Sequence, residues 1–218
     1  MNKKALLKVE KEYYKKISDE GHTILIREAE TTQSSIGSHG NWKVAEKNIA
    51  ESLDRFVNEV QTLKLHEKMM VEMTYNKANA WSHSQVGLLL ELPDVNHLQN
   101  WKPIPIMLAP AGINKLPNGE ISKQHLINNG WKEVKVGVAP EKEVRLYGRI
   151  SAKRKQYAFK PRIAMTVHKA LGQDLGSIAT SVVSSDDGDN YLLWQREQVE
   201  VLISRTHTTK DIIFVGDP

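Results

Sequence analysis

The spacing of apolar residues predicts a helix at the start of the chain and a strand directly after it. Apolar side chains recur every four positions from Ala5 to Ile17, which places them on one face of a short amphipathic helix. Gly21 supplies a stop for this helix. The segment from His22 to Arg27 is short and apolar, so we expect a buried strand there.

A second helix–strand pattern follows. From Trp42 to Leu63 apolar residues are three or four positions apart with charges between them, which predicts one long helix. The run from Met69 to Tyr75 is rich in strand formers. A strand, a long helix and another strand form a βαβ unit, and this crossover favours parallel strands in an α/β sheet.

The middle of the chain, from Asn76 to Gln156, has a different character. Short strand-like runs are separated by prolines and glycines, which predicts a small β-barrel or sandwich inserted into the α/β domain. Only the segment from Ser122 to Asn129 is typical of a helix, with Ser122 as its cap and Gly130 as its stop.

The α/β character resumes after Pro161. Apolar runs predict strands at 163–167, 178–183 and 212–215, with a helix before the last of them. The sequence therefore predicts an α/β fold with a β-rich insertion.

Composition narrows the classes of protein. The chain has 218 residues, a net charge of +4 and a pI of about 9.1, which permits a nucleic-acid partner without requiring one. It has no cysteine, which excludes disulfides and cysteine-ligated zinc and suits a reducing compartment. No apolar run approaches the ~20 residues of a membrane-spanning helix. We expect an intracellular protein, cytoplasmic or nuclear, with no membrane partner. The eight histidines lack metal-site spacing, so we expect no metal held by this chain alone.

The first candidate for chemistry follows the predicted strand at 163–167. Thr166, His168 and Lys169 could donate hydrogen bonds to phosphate oxygens, and Gly172, followed by Gln173, would let the backbone approach a ligand closely. The end of a strand is where open α/β sheets bind ligands. Taken alone, the pattern also suits an ordinary strand-to-turn junction.

The second candidate is the run from Gln198 to Arg205. It predicts a helix that ends near Arg205. An arginine that reaches into a nucleotide cleft neutralises the charge on a transferred phosphoryl group. The alternative is a surface arginine that only complements the helix dipole.

Together, the two runs resemble the last signature motifs of superfamily 1 helicases, in the RecD-like/UvrD-like C-terminal domain. That family's pattern is T-x-H-K, then a glycine, a strand, a Q-x-x-V-x-x-S-R helix and a final strand. The matching residues, in order and in register, are Thr166, His168, Lys169, Gly172, Gln198, Val201, Ser204 and Arg205.

The resemblance implies a fold and a division into domains. The fold would be a RecA-like parallel-sheet domain with a small SH3-like β-rich insertion. Residues 1–76 would form the N-terminal part of the RecA-like domain, 77–156 the insertion, and 157–218 the C-terminal part with the helicase motifs.

The resemblance also implies roles. Thr166, His168 and Lys169 would hold the backbone of a single strand. Gly172, Gln173 and Arg205 would contact ATP, with Arg205 as the catalytic arginine finger.

The sequence departs from the family pattern in three respects. Leu171 stands where glutamine is usual, Asp174 where threonine or glutamate is usual, and Glu200 replaces an aromatic residue. There is also no G-x-x-x-x-G-K-[ST] loop and no Asp-Glu strand for magnesium. ATP and Mg²⁺ are therefore expected only if a first RecA-like domain completes the site, and the chain is expected to be inactive as an ATPase alone.

The segment from Lys142 to Arg162 carries eight basic residues and one glutamate, with aromatic residues among them. Basic groups and stackable rings suit single-stranded nucleic acid, so Arg154 and Tyr157 are candidate contacts. A charged hairpin with structural aromatics explains the pattern equally well. The five tryptophans favour core or interface positions over base-stacking ones.

Two functional hypotheses follow. In the first, the chain is the C-terminal portion of an ATP-dependent DNA helicase, with single-stranded DNA or RNA and the N-terminal helicase half as partners. In the second, it is a non-catalytic nucleic-acid-binding or interaction module derived from a helicase. A fragment of a longer protein without an independent role is a third possibility.

Overall fold

The computed structural model describes residues 3–35, 41–163, 178–180, 200–201, 203–204 and 212–214. The chain divides into two compact units. The first, here the terminal unit, comprises Met1–Gly21, Ala111–Gly119 and Ile163–Pro218. The second, here the β-rich unit, comprises His22–Pro110 and Glu120–Arg162.

The described helices are α1 (Lys3–Asp19), α2 (Lys47–Leu53), α3 (Val95–Gln99) and α4 (Lys123–Asn128). The described strands are β1 (Leu25–Glu28), β2 (Glu30–Ser35), β3 (Lys43–Val44), β4 (Thr62–Leu65), β5 (Met69–Met73), β6 (Val86–Leu89), β7 (Ile104–Leu108), β8 (Lys132–Val136), β9 (Val144–Leu146), β10 (Ile150–Lys155), β11 (Phe159–Pro161), β12 (Ile178–Thr180) and β13 (Ile212–Phe214).

A five-stranded antiparallel sheet forms the main core of the β-rich unit. Its strand order is β11-β5-β6-β7-β8. All four residues of the central strand β6 are buried, because neighbours cover it on both edges and both faces. Gly87 on this strand lies so close to its neighbours that a Cβ there would be 2.6 Å from Ile106 Cγ2. A larger residue at this position would therefore displace neighbouring core side chains.

A four-stranded antiparallel sheet of order β3-β2-β10-β9 packs against α2. The apolar residues of this second core are Ile49, Leu53, Val144, Leu146 and Ala152. From Ala152 to Lys155 on β10, buried residues alternate with partly exposed ones, as the period of a strand requires. One face of this sheet is therefore covered by α2, and the other carries polar and charged side chains, of which Ser34 and Ser151 are buried.

The predicted βαβ unit is wrong. The expected strand His22–Arg27 is found as β1 and the expected strand at 69–75 as β5, but β1 pairs antiparallel with β4. The connection between β1 and β4 contains β2, β3 and the two-turn helix α2 instead of one long crossover helix. Such a connection does not require parallel strands.

The predicted helix from Trp42 to Leu63 is reduced to Lys47–Leu53. Directly after Leu53, Asp54 forms an ion pair with Arg154, and Leu63 is buried on β4. Three- and four-residue apolar spacing also fits a short helix followed by a turn and a strand, and tertiary contacts decide between the two.

Other predictions are confirmed. The chain forms α1 near its start, and Gly21 follows with a φ of +81°. Helix α4 is capped by Ser122, whose hydroxyl accepts a hydrogen bond from the His125 amide, and Gly130 follows it with a φ of +80°. The segment from 76 to 156 is rich in short strands, as expected.

The division at residues 76/77 and 156/157 does not coincide with the compact units. Both positions lie within the region that builds the five-stranded sheet, because β5 pairs with β6 on one side and β11 on the other. The sheets of the β-rich unit are antiparallel, and the RecA-like parallel sheet with an SH3-like insertion stays a prediction.

In the terminal unit, β12 and β13 pair in parallel, with Ile178 opposite Ile212. These strands lie where strands were predicted. The expected strand at 163–167 falls outside the described residues except for its first position. No helix among the described residues is long and apolar enough to cross a membrane.

We expect Gly87→Ala to lower the free energy of unfolding by about 1–3 kcal/mol, because the new methyl group must displace side chains of a packed core. Gly137→Ala is the matched control, since its Cβ would meet nothing closer than Pro103 Cγ at 3.9 Å. Urea unfolding of both variants measures the difference. Equal stability of the two would contradict the close approach at Gly87.

Candidate nucleic-acid interface

Strand β10 separates its basic side chains onto two faces. Ile150, Ala152 and Arg154 point toward α2, whereas Lys153 and Lys155 lie on the outer face of the four-stranded sheet. The alternation follows from the two-residue period of a strand. Neighbouring basic residues of the sequence therefore have different roles.

The side chain of Arg154 is buried, and its guanidinium donates to acceptors of the protein itself. Only 1% of it is exposed, and its guanidinium donates to Asp54 Oδ1 at 2.9 Å, the Glu59 carbonyl at 2.8 Å and the Ala50 carbonyl at 2.7 Å. A weaker contact joins it to Thr31 Oγ1. We therefore correct the prediction that Arg154 contacts nucleic acid and assign this residue a structural role.

Tyr157 is also buried. Its ring lies 5.3 Å from that of Trp101 and 5.8 Å from that of Phe159, and its hydroxyl donates to the Lys102 carbonyl at 3.1 Å. Burial raises the pKa of the Tyr157 hydroxyl to about 12. A fully covered ring cannot stack on a base, so the prediction for Tyr157 is likewise corrected to a core role.

The outer face carries two ion pairs that border a depression. Lys153 Nζ lies 2.8 Å from a carboxylate oxygen of Glu141, and Lys155 Nζ lies 3.3 Å from one of Glu30. The strands align these groups because Lys155 is opposite Glu30 and Lys153 is opposite Thr32 in the pairing of β10 with β2.

Trp42 completes this surface. Trp42 is half-buried as a residue, and Lys153 Nζ lies 4.7 Å from its ring centroid, within the range of a cation–π contact. The depression has a volume of about 250 Å³. We call its lining the outer-face cluster, which consists of Glu30, Thr32, Trp42, Glu141, Lys153 and Lys155.

Glu30 joins the cluster to a second tryptophan. Trp101 Nε1 donates to Glu30 Oε1 at 2.8 Å, and Arg27 donates to the same oxygen at 3.0 Å. The hydrogen bond from Trp101 holds the pKa of the Glu30 carboxyl below its ordinary value, and the charges of Lys155 and Arg27 add to this effect. Arg27 Cζ lies 3.9 Å from the Trp101 ring centroid. Trp101 is thus held by contacts within the protein.

The remaining predicted site residues lie outside the described residues. These are Thr166, His168, Lys169, Gly172, Gln173 and Arg205. In the helix predicted before Arg205, the described positions Glu200, Val201 and Ile203 are helical, and the Ser204 amide donates to the Glu200 carbonyl. Within the described part of the chain, no group of acidic or histidine side chains could hold a metal ion.

The sequence contained a signal that Arg154 lies on the opposite strand face from Lys153 and Lys155. Ile150 and Ala152 are apolar and lie two and four positions before Arg154, so a strand must place all three on one face. The role of Trp42 had no such signal, because its position depends on strands far away in sequence.

By sequence, no protein-family model and no curated protein matches the chain. Solved structures do match it. The Pif1 helicase from Candida albicans has 14% sequence identity and a TM-score of 0.60, over 97% of this chain and 44% of that one. This chain is similar in fold to part of a helicase.

Two Bacteroides Pif1 structures show the same similarity. One, bound to single-stranded DNA, has 13% identity and a TM-score of 0.54 over 94% of this chain and 38% of that chain. The other, a complex with ADP-AlF3 and single-stranded DNA, has 15% identity and a TM-score of 0.54 over 96% of this chain and 38% of that chain. The chain thus spans less than half the length of these Pif1 helicases, and it has a helicase-like fold.

We expect Arg154→Ala to lower the free energy of unfolding by about 3 kcal/mol, because it removes a buried ion pair with Asp54 and leaves the Ala50 and Glu59 carbonyls without this donor. Arg145→Ala removes an exposed arginine from the neighbouring strand β9 and should change stability by less than about 0.5 kcal/mol. Thermal and urea unfolding test the pair. A small effect of Arg154→Ala would contradict its role as a structural anchor.

The lowered pKa of Glu30 predicts a dependence on pH. The folded-state pKa lies below the ordinary value of 4.5, so the stabilisation is complete above pH 4.5 and is lost as the pH falls through the lowered pKa. Glu30→Gln should therefore be less stable than the wild type at neutral pH, and the difference should shrink in acid. Urea unfolding of both proteins at several pH values between 3 and 7 measures this, and a pH-independent difference would contradict it.

Proposed function

We propose that this chain acts as the C-terminal portion of an ATP-dependent DNA helicase. It contributes single-strand contacts and an arginine finger to an ATP site that a first RecA-like domain completes. The observation that carries the proposal is the similarity of almost the whole chain to part of the Pif1 helicases, together with the T-x-H-K…G and Q-x-x-V-x-x-S-R patterns in helicase order.

The proposed roles follow the chemistry of the residues. Thr166, His168 and Lys169 offer a hydroxyl, an imidazole and an ammonium to the phosphates of a single strand. Gly172 and Gln173 lie next to the nucleotide, and Arg205 neutralises charge that develops on the γ-phosphate. Closure of two RecA-like domains around ATP would then move the enzyme along the strand.

The ligands of the structural relatives support the choice of partner and cofactor. One Bacteroides Pif1 structure contains single-stranded DNA, and another contains ADP-AlF3 with single-stranded DNA. We infer that single-stranded DNA is the partner of this chain. ATP and Mg²⁺ belong to the completed site, since the chain lacks a phosphate-cradling loop of its own.

A non-catalytic nucleic-acid-binding module is the second candidate. The observation that favours it is the set of departures from the family pattern, above all Leu171 and Glu200. In this case DNA binding remains and the arginine has no catalytic role. The two candidates therefore differ in what Arg205 does.

We expect Lys169→Ala to weaken single-stranded DNA binding by the 218-residue chain and to lower the slope of log K against log salt by about 0.7. Arg205→Ala should leave DNA affinity unchanged, because its proposed target is ATP. Fluorescence anisotropy of a labelled oligonucleotide measures both. Unchanged affinity of Lys169→Ala would contradict the proposed strand contact.

ATP hydrolysis separates the two candidates. The chain alone should show no DNA-stimulated turnover, and in an assembly with a first RecA-like domain Arg205→Ala should reduce kcat by about 10³-fold. Hydrolysis by the isolated chain that is lost in Arg205→Ala would contradict the need for a second domain. An assembled ATPase indifferent to Arg205→Ala would favour the non-catalytic module.

A further inference from the structure

We propose that the outer-face cluster is a second contact for single-stranded DNA, separate from the T-x-H-K segment. Trp42 stacks on one base, and Lys153 and Lys155 bind the adjoining phosphates. The choice of single-stranded DNA as ligand rests on the proposed function, whereas the site itself is argued from the β-rich unit alone.

The arrangement of the two lysines favours a strand-like ligand. They are two residues apart on the same face of β10, which separates their Cα atoms by about 6–7 Å. Both lysines line one depression. Two cations in a row along a sheet face can hold successive phosphates of an extended strand.

The aromatic component favours an unpaired base. Trp42 lines the depression and is only half-buried, so part of this residue is accessible to a ligand. A cavity of about 250 Å³ is smaller than the sites that hold drug-sized ligands and suits a single flat ring. Base stacking on an exposed aromatic ring requires a single strand, because the bases of a duplex already stack on each other.

In the absence of DNA, two carboxylates neutralise the lysines of the outer-face cluster. Glu141 and Glu30 lie where phosphate oxygens would bind the two lysines, at 2.8 and 3.3 Å from the ammonium groups. Their side chains are 38% and 51% exposed, so water weakens both ion pairs. Glu30 also accepts hydrogen bonds from Trp101 and Arg27, whereas among the described residues Glu141 forms an ion pair with Lys153 alone. A polyanionic strand can therefore replace Glu141 at little cost, and Glu141 acts as a competitor of the ligand.

This competition predicts changes in DNA affinity that a purely structural ion pair would not produce. Removal of the Lys153 ammonium should weaken DNA binding, and removal of the Glu141 carboxylate should strengthen it. If the ion pair only stabilises the sheet, Lys153→Ala and Glu141→Gln should affect stability alike and leave DNA affinity unchanged.

The chain contains a matched control. Lys123 and Glu133 form an ion pair in the same unit, with side chains 54% and 38% exposed, and among the described residues Lys123 makes no cation–π contact with a tryptophan. Lys123→Ala and Glu133→Gln make the same changes of net charge as the cluster variants. They report the nonspecific effect of charge on DNA affinity.

The experiment measures anisotropy of a labelled oligo-dT strand with the full chain and each variant at several salt concentrations. We expect Lys153→Ala to weaken binding severalfold and to lower the salt slope by about 0.7, and Glu141→Gln to tighten binding severalfold. Trp42→Ala should weaken binding about tenfold on oligo-dT and much less on an abasic strand of equal length. The two control variants should match the wild type.

The outcomes separate this inference from the proposed function. If Lys169→Ala weakens binding and the cluster variants behave like the controls, the second contact is refuted and the proposed function stands. If the cluster variants change binding and Lys169→Ala does not, the second contact stands and the role of the T-x-H-K segment is refuted. A wild-type chain that does not bind single-stranded DNA refutes both.

Two further results would overturn the inference. Equal losses for Trp42→Ala on oligo-dT and on the abasic strand would exclude base stacking. If Lys153→Ala and Glu141→Gln changed the affinity for duplex DNA more than the affinity for oligo-dT, single-stranded DNA would be excluded as the ligand of the cluster. If Trp42→Ala lowers the melting temperature sharply, the opposite effects of Lys153→Ala and Glu141→Gln decide the result without it.

Discussion

The buried guanidinium of Arg154 is the contact on which the β-rich unit depends. It joins β10 to the end of α2 through Ala50 and Asp54, and to the approach to β4 through Glu59. A cation removed from water requires partners for its donors, so these segments must converge on one point. The same contact fixes the side chain of Asp54, the residue that follows Leu53 at the end of α2. One side chain thereby holds together stretches that are about a hundred residues apart in sequence.

The inward direction of Arg154 determines what the opposite face can do. Because side chains alternate along a strand, burial of Arg154 places Lys153 and Lys155 on the outer face of the same sheet. Pairing with β2 then brings Glu30 to Lys155, and Trp42 lies beside Lys153. The structural anchor and the outer-face cluster are thus two consequences of one strand. A basic run of three residues has both a folding role and a surface role.

The similarity to Pif1 helicases concerns nearly the whole chain, although fewer than one residue in six is identical. Pairing between strands and burial of apolar faces preserve such a fold through extensive sequence change, since many apolar residues fill the same position. The β-rich unit has antiparallel sheets, and the described parallel pair belongs to the terminal unit. The motif residues and the outer-face cluster therefore belong to different units. The two proposed DNA contacts can be varied independently.

The sequence by itself determined the features that depend on near neighbours. Helix α1, the capped helix α4 and the short strands of the middle segment follow from apolar spacing, a serine cap and glycine stops. The order of the helicase-like motifs is also a property of the sequence alone. Only the tertiary structure decided the direction in which β1 pairs, the early end of α2 and the burial of Arg154 and Tyr157. Each of these depends on partners distant in sequence, such as the pairing of Lys155 with Glu30 across 125 residues, and no local pattern specifies such partners.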